Sequence, residues 1–171
     1  MEMSIGVKRI DEHGNKICLI PNSRDIYPES ERKATGIQAD VNELIDLGFD
    51  VTVISLKEYF EDKEGLLIKL EEYNAFYVIG GNTFALRQAM YLSGFDKFLK
   101  TIENNPNYLY AGYSAGICVL AKDLHGLDVC DDPNANPYGI ENVKWYRKLC
   151  NKWWILWKKK WNYKTNFCNY F

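Results

Sequence analysis

Several things are scarce in this 171-residue chain, and each scarcity removes a class of protein. No apolar run is longer than five residues, as in Trp153-Trp154-Ile155-Leu156-Trp157, whereas a bilayer-crossing helix needs roughly 20; no membrane span is expected. The five cysteines are widely spaced and contain no C-x-x-C, so they read as reduced thiols and not as a disulfide or zinc framework. His, Cys, Asp and Glu are nowhere clustered at metal-ligand spacing, and neither G-x-x-x-x-G-K-[ST] nor G-x-G-x-x-G occurs. No metal or other cofactor is therefore expected. The first residues, Met1-Glu2-Met3-Ser4-Ile5, lack the basic-then-apolar pattern of a secretory signal, which makes the cytoplasm the default compartment. Histidine is the rarest functional residue, with only His13 and His125.

Acidic residues are also missing from one part of the chain. Residues 144–171 hold eight basic side chains and no acidic one, so a formal net charge of −2 divides into −10 for residues 1–143 and +8 for the remainder. All five tryptophans fall between Trp145 and Trp161. We divide the sequence accordingly into a domain over 1–143 and a basic aromatic tail over 144–171. Lysines interleaved with aromatics suit a nucleic-acid stacking surface or a membrane interface, but such a peptide would bind many anions without specificity. Out-of-frame translation from near residues 141–144 is the other account of the break.

What is present is a series of short apolar runs alternating with helical patterns. Ile17-Cys18-Leu19-Ile20 reads as a strand stopped by Pro21-Asn22-Ser23. A helix is expected from about Glu29 to Leu47, with Ile37, Val41, Leu44 and Ile45 on one face and Gly48 to end it. Val51 to Ile54 is a β-branched strand. A charged helix near 63–72 and a strand Ala75 to Ile79 lead to Gly80-Gly81-Asn82, after which Thr83 can cap a helix over 84–93. A helix over 95–104 precedes a strand Tyr108 to Ala111. An apolar helix, Ala115 to Ala121, follows Ser114, and Asp131 to Pro137 is a surface loop by composition. Strands without strict alternation are buried on both faces, which points to an α/β three-layer sandwich: a mostly parallel sheet with helices on both faces.

Two turns carry the chemistry. In Ala111-Gly112-Tyr113-Ser114-Ala115-Gly116, a strand meets a helix through small residues and a serine. This is the arrangement of a nucleophile elbow, in which a strained turn lifts the hydroxyl above the sheet and the next N–H, on Ala115, faces a developing oxyanion. A serine at such a junction can also be a plain helix cap. Gly80-Gly81-Asn82 ends another strand, and in a parallel sheet such loops gather at the carboxyl edge where ligands bind. Gly81 is then the second oxyanion donor, with Asn82 shaping the turn or meeting substrate; a purely structural turn is the alternative.

Together these segments resemble the peptidase family of dipeptidase E and cyanophycinase, whose fold is like that of class I glutamine amidotransferases. Tyr77 to Leu86 is similar to its G-G-N segment and Gly112 to Gly116 to its nucleophile turn, with a leading strand-Pro-Asn-Ser segment near Leu19 to Ser23. The resemblance covers roughly residues 15–140. It implies a serine-type peptidase acting on small peptides, aspartyl dipeptides among them, through an acyl-enzyme on Ser114. Gly81 and Ala115 would supply oxyanion N–H groups, and Asp131, in Asp131-Asp132-Pro133, would match the family's acidic residue. Glutamine amidotransferases carry cysteine at the elbow, so Ser114 favours the peptidase side.

The family's histidine, in a Pro-His-[Phe/Tyr] segment, falls where this sequence reads Leu149-Cys150-Asn151-Lys152-Trp153-Trp154, and no histidine follows His125; the resemblance therefore implies that the α/β domain over 1–143 is incomplete as a catalytic unit. His125, eleven residues after Ser114, is the candidate substitute base or a loop residue; His13 reads as an exposed turn residue and Cys118 as a packing thiol. The alternative function is an inactive α/β binding or scaffold protein. The expected partner is a small peptide, with homodimerisation left open and no specific nucleic acid. If the reading frame shifts near residue 143, sequencing the gene will reveal a Pro-His-[Phe/Tyr] segment in another frame just downstream. Its absence from every frame would end that explanation.

Overall fold

The computed structural model describes residues 14–121 and 123–141. His13, the boundary at 143/144, the tail and the Leu149 to Trp154 stretch lie outside the described residues. Strand β1 (Lys16–Ile20) is buried from Ile17 onward and stops at Pro21, which offers no N–H to extend a ladder. A single tight turn, Asn22–Arg24, follows. Helix α1 (Glu31–Asp46) begins where the Ser30 hydroxyl accepts from the Lys33 N–H at 3.2 Å, and it ends one residue short of the expected Leu47, which is its C-cap. Strand β2 (Asp50–Val53), a turn at Leu56–Tyr59 and helix α2 (Lys63–Leu70) come next. Strand β3 (Ala75–Val78) leads to helices α3 (Thr83–Ser93) and α4 (Phe95–Ile102), and strand β4 (Leu109–Gly112) to helix α5 (Ala115–Cys118).

All four strands are parallel, in the order β2-β1-β3-β4. The register aligns Ile20 with Val78 and Val78 with Gly112, so the loops after β1, β3 and β4 leave the same edge of the sheet. The chain steps from β1 to one side for β2 and returns to the other side for β3. The β1/β3 boundary is therefore the topological switch point, where the outgoing loops diverge and leave a crevice.

Alternate side chains of each strand enter opposite layers. Cys18, Ile20, Phe76 and Val78 join Leu66 and Leu70 of α2, Leu86 and Met90 of α3, Phe95, Phe98 and Leu99 of α4 and Ala115 of α5 in one core. Ile17, Leu19, Ala75 and Ile79 pack instead with Val41 and Leu44 of α1. These are the three layers expected of strands that lack alternation. Phe76 centres the larger core, meeting the rings of Phe95 and Phe98 edge-on at centroid separations of 5.8 and 5.4 Å.

Two local expectations change. Asn82, and not Thr83, caps α3, its side-chain oxygen accepting from the Ala85 N–H at 2.9 Å. The elbow helix is four residues long instead of seven, because beyond Cys118 the backbone tightens into three-residue bonds, Leu120 to Ile117 and Ala121 to Cys118. Gly116 and the β-branched Ile117 and Val119 are weak helix formers, consistent with so short a helix.

Replacing Phe76 by alanine removes the ring against which those of Phe95, Phe98 and Tyr108 pack. We expect a loss of about 3–5 kcal/mol in urea unfolding, and a far smaller loss for Phe76→Leu. Equal costs for the two variants would place the centre of the core elsewhere.

Candidate active site

Close approach of backbone to backbone builds the elbow. A Cβ on either Gly112 or Gly116 would collide with the Val78 carbonyl oxygen of β3, so only glycine lets β4 pass into α5 at this separation. The same carbonyl accepts from the Tyr113 N–H at 3.4 Å. Between the two glycines Ser114 takes φ 49° and ψ −120°, and it is the one non-glycine residue with positive φ among the described residues. Such a conformation costs of order 1–3 kcal/mol and persists only where its surroundings over-determine it. Ser114 is exposed while Ala115 and Gly116 behind it are buried. From below, the Tyr110 hydroxyl donates to the Gly116 carbonyl at 2.7 Å; burial pushes that phenol well above its ordinary range, keeping it a neutral donor.

The Gly80-Gly81-Asn82 turn lies directly against the elbow. A Cβ on Gly80 would come within 2.6 Å of the Tyr113 ring and 3.1 Å of the Ser114 Cβ. Ser23, fully buried, holds this turn from the other side, its carbonyl accepting from the Asn82 N–H at 2.8 Å and its hydroxyl lying 2.9 Å from both the Ile79 and Gly80 carbonyls. The N–H groups of Gly81 and Ala115 find no acceptor among the described residues. Two N–H groups free beside an exposed serine are what an oxyanion site needs.

Asn82 is committed to the scaffold. Its oxygen caps α3 and its Nδ2 donates to the Asp132 carbonyl at 3.1 Å, leaving it shaping the turn with its side chain buried. Asp131 is brought to the same corner, where one carboxylate oxygen accepts from both the Thr83 N–H at 2.9 Å and the Thr83 hydroxyl at 2.6 Å. A carboxylate at the first turn of α3 also suits the helix dipole. Its charge, after burial, helps raise the Cys118 thiol above its usual range, which places Asp131 within electrostatic reach of the turn following Ser114. His125 is not drawn in. It is exposed, its backbone N–H donates to the Asp123 carboxylate at 3.1 Å, and no hydrogen bond joins its imidazole to Ser114 or Asp131 among the described residues.

Four neighbours of the elbow complete the corner: Ser23 and Tyr113, which the sequence offers only as members of the Pro-Asn-Ser and elbow segments, and Arg24 and Asp40, which no motif marks. The Arg24 guanidinium donates from Nη2 to Asp40 Oδ2 and to the Tyr113 hydroxyl, both at 2.8 Å, while Nε reaches the Gly80 carbonyl at 3.3 Å. Tyr113 in turn donates to the other Asp40 oxygen at 2.9 Å. Burial first, and then that bond, push the Tyr113 phenol up, so it remains protonated. Asp40 sits at a buried position of α1, the helix that also buries Val41 and Leu44; an acidic residue on a buried helix face is the signal that could have revealed it. The 131–138 segment is pinned across the helix layer, by Gln88 Nε2 to the Ala135 carbonyl at 2.7 Å and by the Tyr138 hydroxyl to Asp25 at 2.6 Å.

Residues 7–147 match the family model described as Peptidase family S51. Among solved structures, the chain is similar to a candidate peptidase E protein from Listeria monocytogenes EGD-e, with 26% identity and a TM-score of 0.59, over 77% of this chain and 61% of that one. The chain thus spans less than two thirds of that relative's length. The comparison with curated proteins finds no match.

Proposed function

Since the chain belongs to peptidase family S51, we propose that it is a serine-type peptidase that hydrolyses small peptides, aspartyl dipeptides among them, with Ser114 as the nucleophile. The observation carrying this reading is the strained, exposed Ser114 seated between Gly112 and Gly116 beside two N–H groups that have no acceptor among the described residues. In the reaction the Ser114 hydroxyl adds to the scissile carbonyl carbon and the oxygen gathers negative charge. The N–H groups of Gly81 and Ala115 stabilise that charge. Collapse of the adduct breaks the C–N bond, releasing the amine and leaving an acyl group on Ser114, which water then removes.

The serine proton must pass to a base and then to the departing amine. His125 is the one histidine after Ser114, and we assign it that role through a movement of the 123–130 loop, with Asp131 to orient it. Asp131 is already fixed at the corner by Thr83. The peptide substrate and a cytoplasmic setting belong to this same proposal; among the described residues no helix is long and apolar enough to cross a membrane.

One observation favours a second reading. Among the described residues no imidazole is hydrogen-bonded to Ser114, and a serine without a positioned base is a poor nucleophile. An α/β binding or scaffold protein that retains the elbow without turning over substrate would look the same.

A fluorophosphonate probe separates the two. The peptidase reading predicts labelling of the folded chain that disappears in Ser114→Ala, and a fall of about 10²-fold or more in peptide hydrolysis for His125→Ala with an unchanged circular-dichroism spectrum. Absence of labelling in the folded wild-type chain favours the scaffold, and an unaltered rate in His125→Ala removes that residue from the mechanism.

A further inference from the structure

We propose that Ser23 and Arg24 are positioning residues: they fix the Gly80–Gly81 peptide so that the Gly81 N–H stands free at the elbow, and Arg24 ties that peptide to the residue preceding Ser114. The inference rests on the peptidase reading for its catalytic consequence and on hydrogen-bond geometry for its structural one.

A peptide unit is planar and, without a cis bond among the described residues, its carbonyl and N–H point in opposite directions. Whatever holds the Gly80 oxygen therefore aims the Gly81 N–H. Two donors converge on that oxygen, the Ser23 hydroxyl at 2.9 Å and Arg24 Nε at 3.3 Å. The Ser23 hydroxyl has a single hydrogen and lies equally close to the Ile79 carbonyl. It cannot serve both carbonyls at once, so Arg24 supplies the donor that keeps Gly80 satisfied. The next residue is clamped by the Asn82 N–H on the Ser23 carbonyl. Gly81 itself has no space for a side chain, since a Cβ would lie 2.6 Å from the Ser23 carbonyl carbon and 2.9 Å from its Oγ.

Arg24 brings more than a hydrogen bond. Its cationic donor polarises the Gly80–Gly81 amide, and hydrogen bonds in series strengthen one another, so the Gly81 N–H becomes a better donor to an oxyanion. The same guanidinium holds the Tyr113 hydroxyl, and Asp40 accepts from both. One planar group thus spans the two turns whose separation sets the distance from nucleophile to oxyanion donor. Lysine could retain the ion pair with Asp40 but has no fork with which to reach Gly80 and Tyr113 together.

The test compares the full chain with Arg24→Lys, each labelled with isotopes and confirmed folded by circular dichroism. Fluorophosphonate labelling is measured against probe concentration, and the Gly81 amide is followed by NMR shift and solvent exchange. We expect the saturating labelling rate to fall about 10- to 100-fold, half-saturation to stay within about twofold, and the Gly81 amide to shift and exchange faster. Labelling at the wild-type saturating rate, or a fall in rate with an unchanged Gly81 amide, overturns the proposal. If the wild-type chain is not labelled, the nucleophile reading fails and the amide alone decides: a shift in Arg24→Lys supports the positioning role, an unchanged resonance overturns it. Should Arg24→Lys not fold, Ser23→Ala removes the other donor to the same carbonyl and is judged by the same two readouts.

Discussion

The Val78 carbonyl is where the strand carrying one motif touches the turn carrying the other. Gly112 and Gly116 lie so close to it that neither position has room for a methyl group, and Tyr113 donates its N–H to it. Because β4 must turn into α5 at that distance, Ser114 is held in a strained, positive-φ conformation on the exposed side of the crossing. Because Val78 ends β3, the Gly80-Gly81-Asn82 turn emerges within contact of the serine. Widening this crossing would separate Ser114 from Gly80 and remove the reason for both glycines at the elbow.

Around the crossing, the polar groups divide between support and exposure. Ser23, Asn82, Asp131, Thr83 and Tyr110 spend their hydrogen-bonding capacity on backbone or on one another. Among the described residues the Gly81 and Ala115 N–H groups do not. Such an imbalance is stable only when the unsatisfied groups face water or a ligand, because buried backbone donors are otherwise paired. In the proposed reaction the same arrangement would pre-organise donors for a charge appearing only in the transition state.

The strands and the elbow were readable because they rest on local rules. Apolar runs such as Ile17 to Ile20 and Ala75 to Ile79 mark strands covered on both faces, and glycines flanking a serine mark a turn with room on either side. The order of those segments carried the resemblance to the dipeptidase E family, which the family match over residues 7–147 bears out. What the sequence did not disclose depends on contacts distant along the chain. Arg24 meets Asp40, Tyr113 and Gly80 across separations of 16, 89 and 56 residues, and no periodicity encodes such a meeting. Asn82 was legible as a turn residue, but its tie to Asp132 needed the 131–138 segment to be placed. His125 illustrates the reverse case: its sequence distance from Ser114 was suggestive, yet the loop leaves it in solvent.

The central claim is that Ser114 is a nucleophile whose oxyanion is received by Gly81 and Ala115, and the most direct measurement is a crystal structure of the chain after reaction with a fluorophosphonate. The account predicts a covalent bond from phosphorus to the Ser114 Oγ, with the phosphoryl oxygen within hydrogen-bond distance of both N–H groups. An adduct on another side chain, or a Ser114 adduct whose phosphoryl oxygen turns away from Gly81 and Ala115, would contradict it.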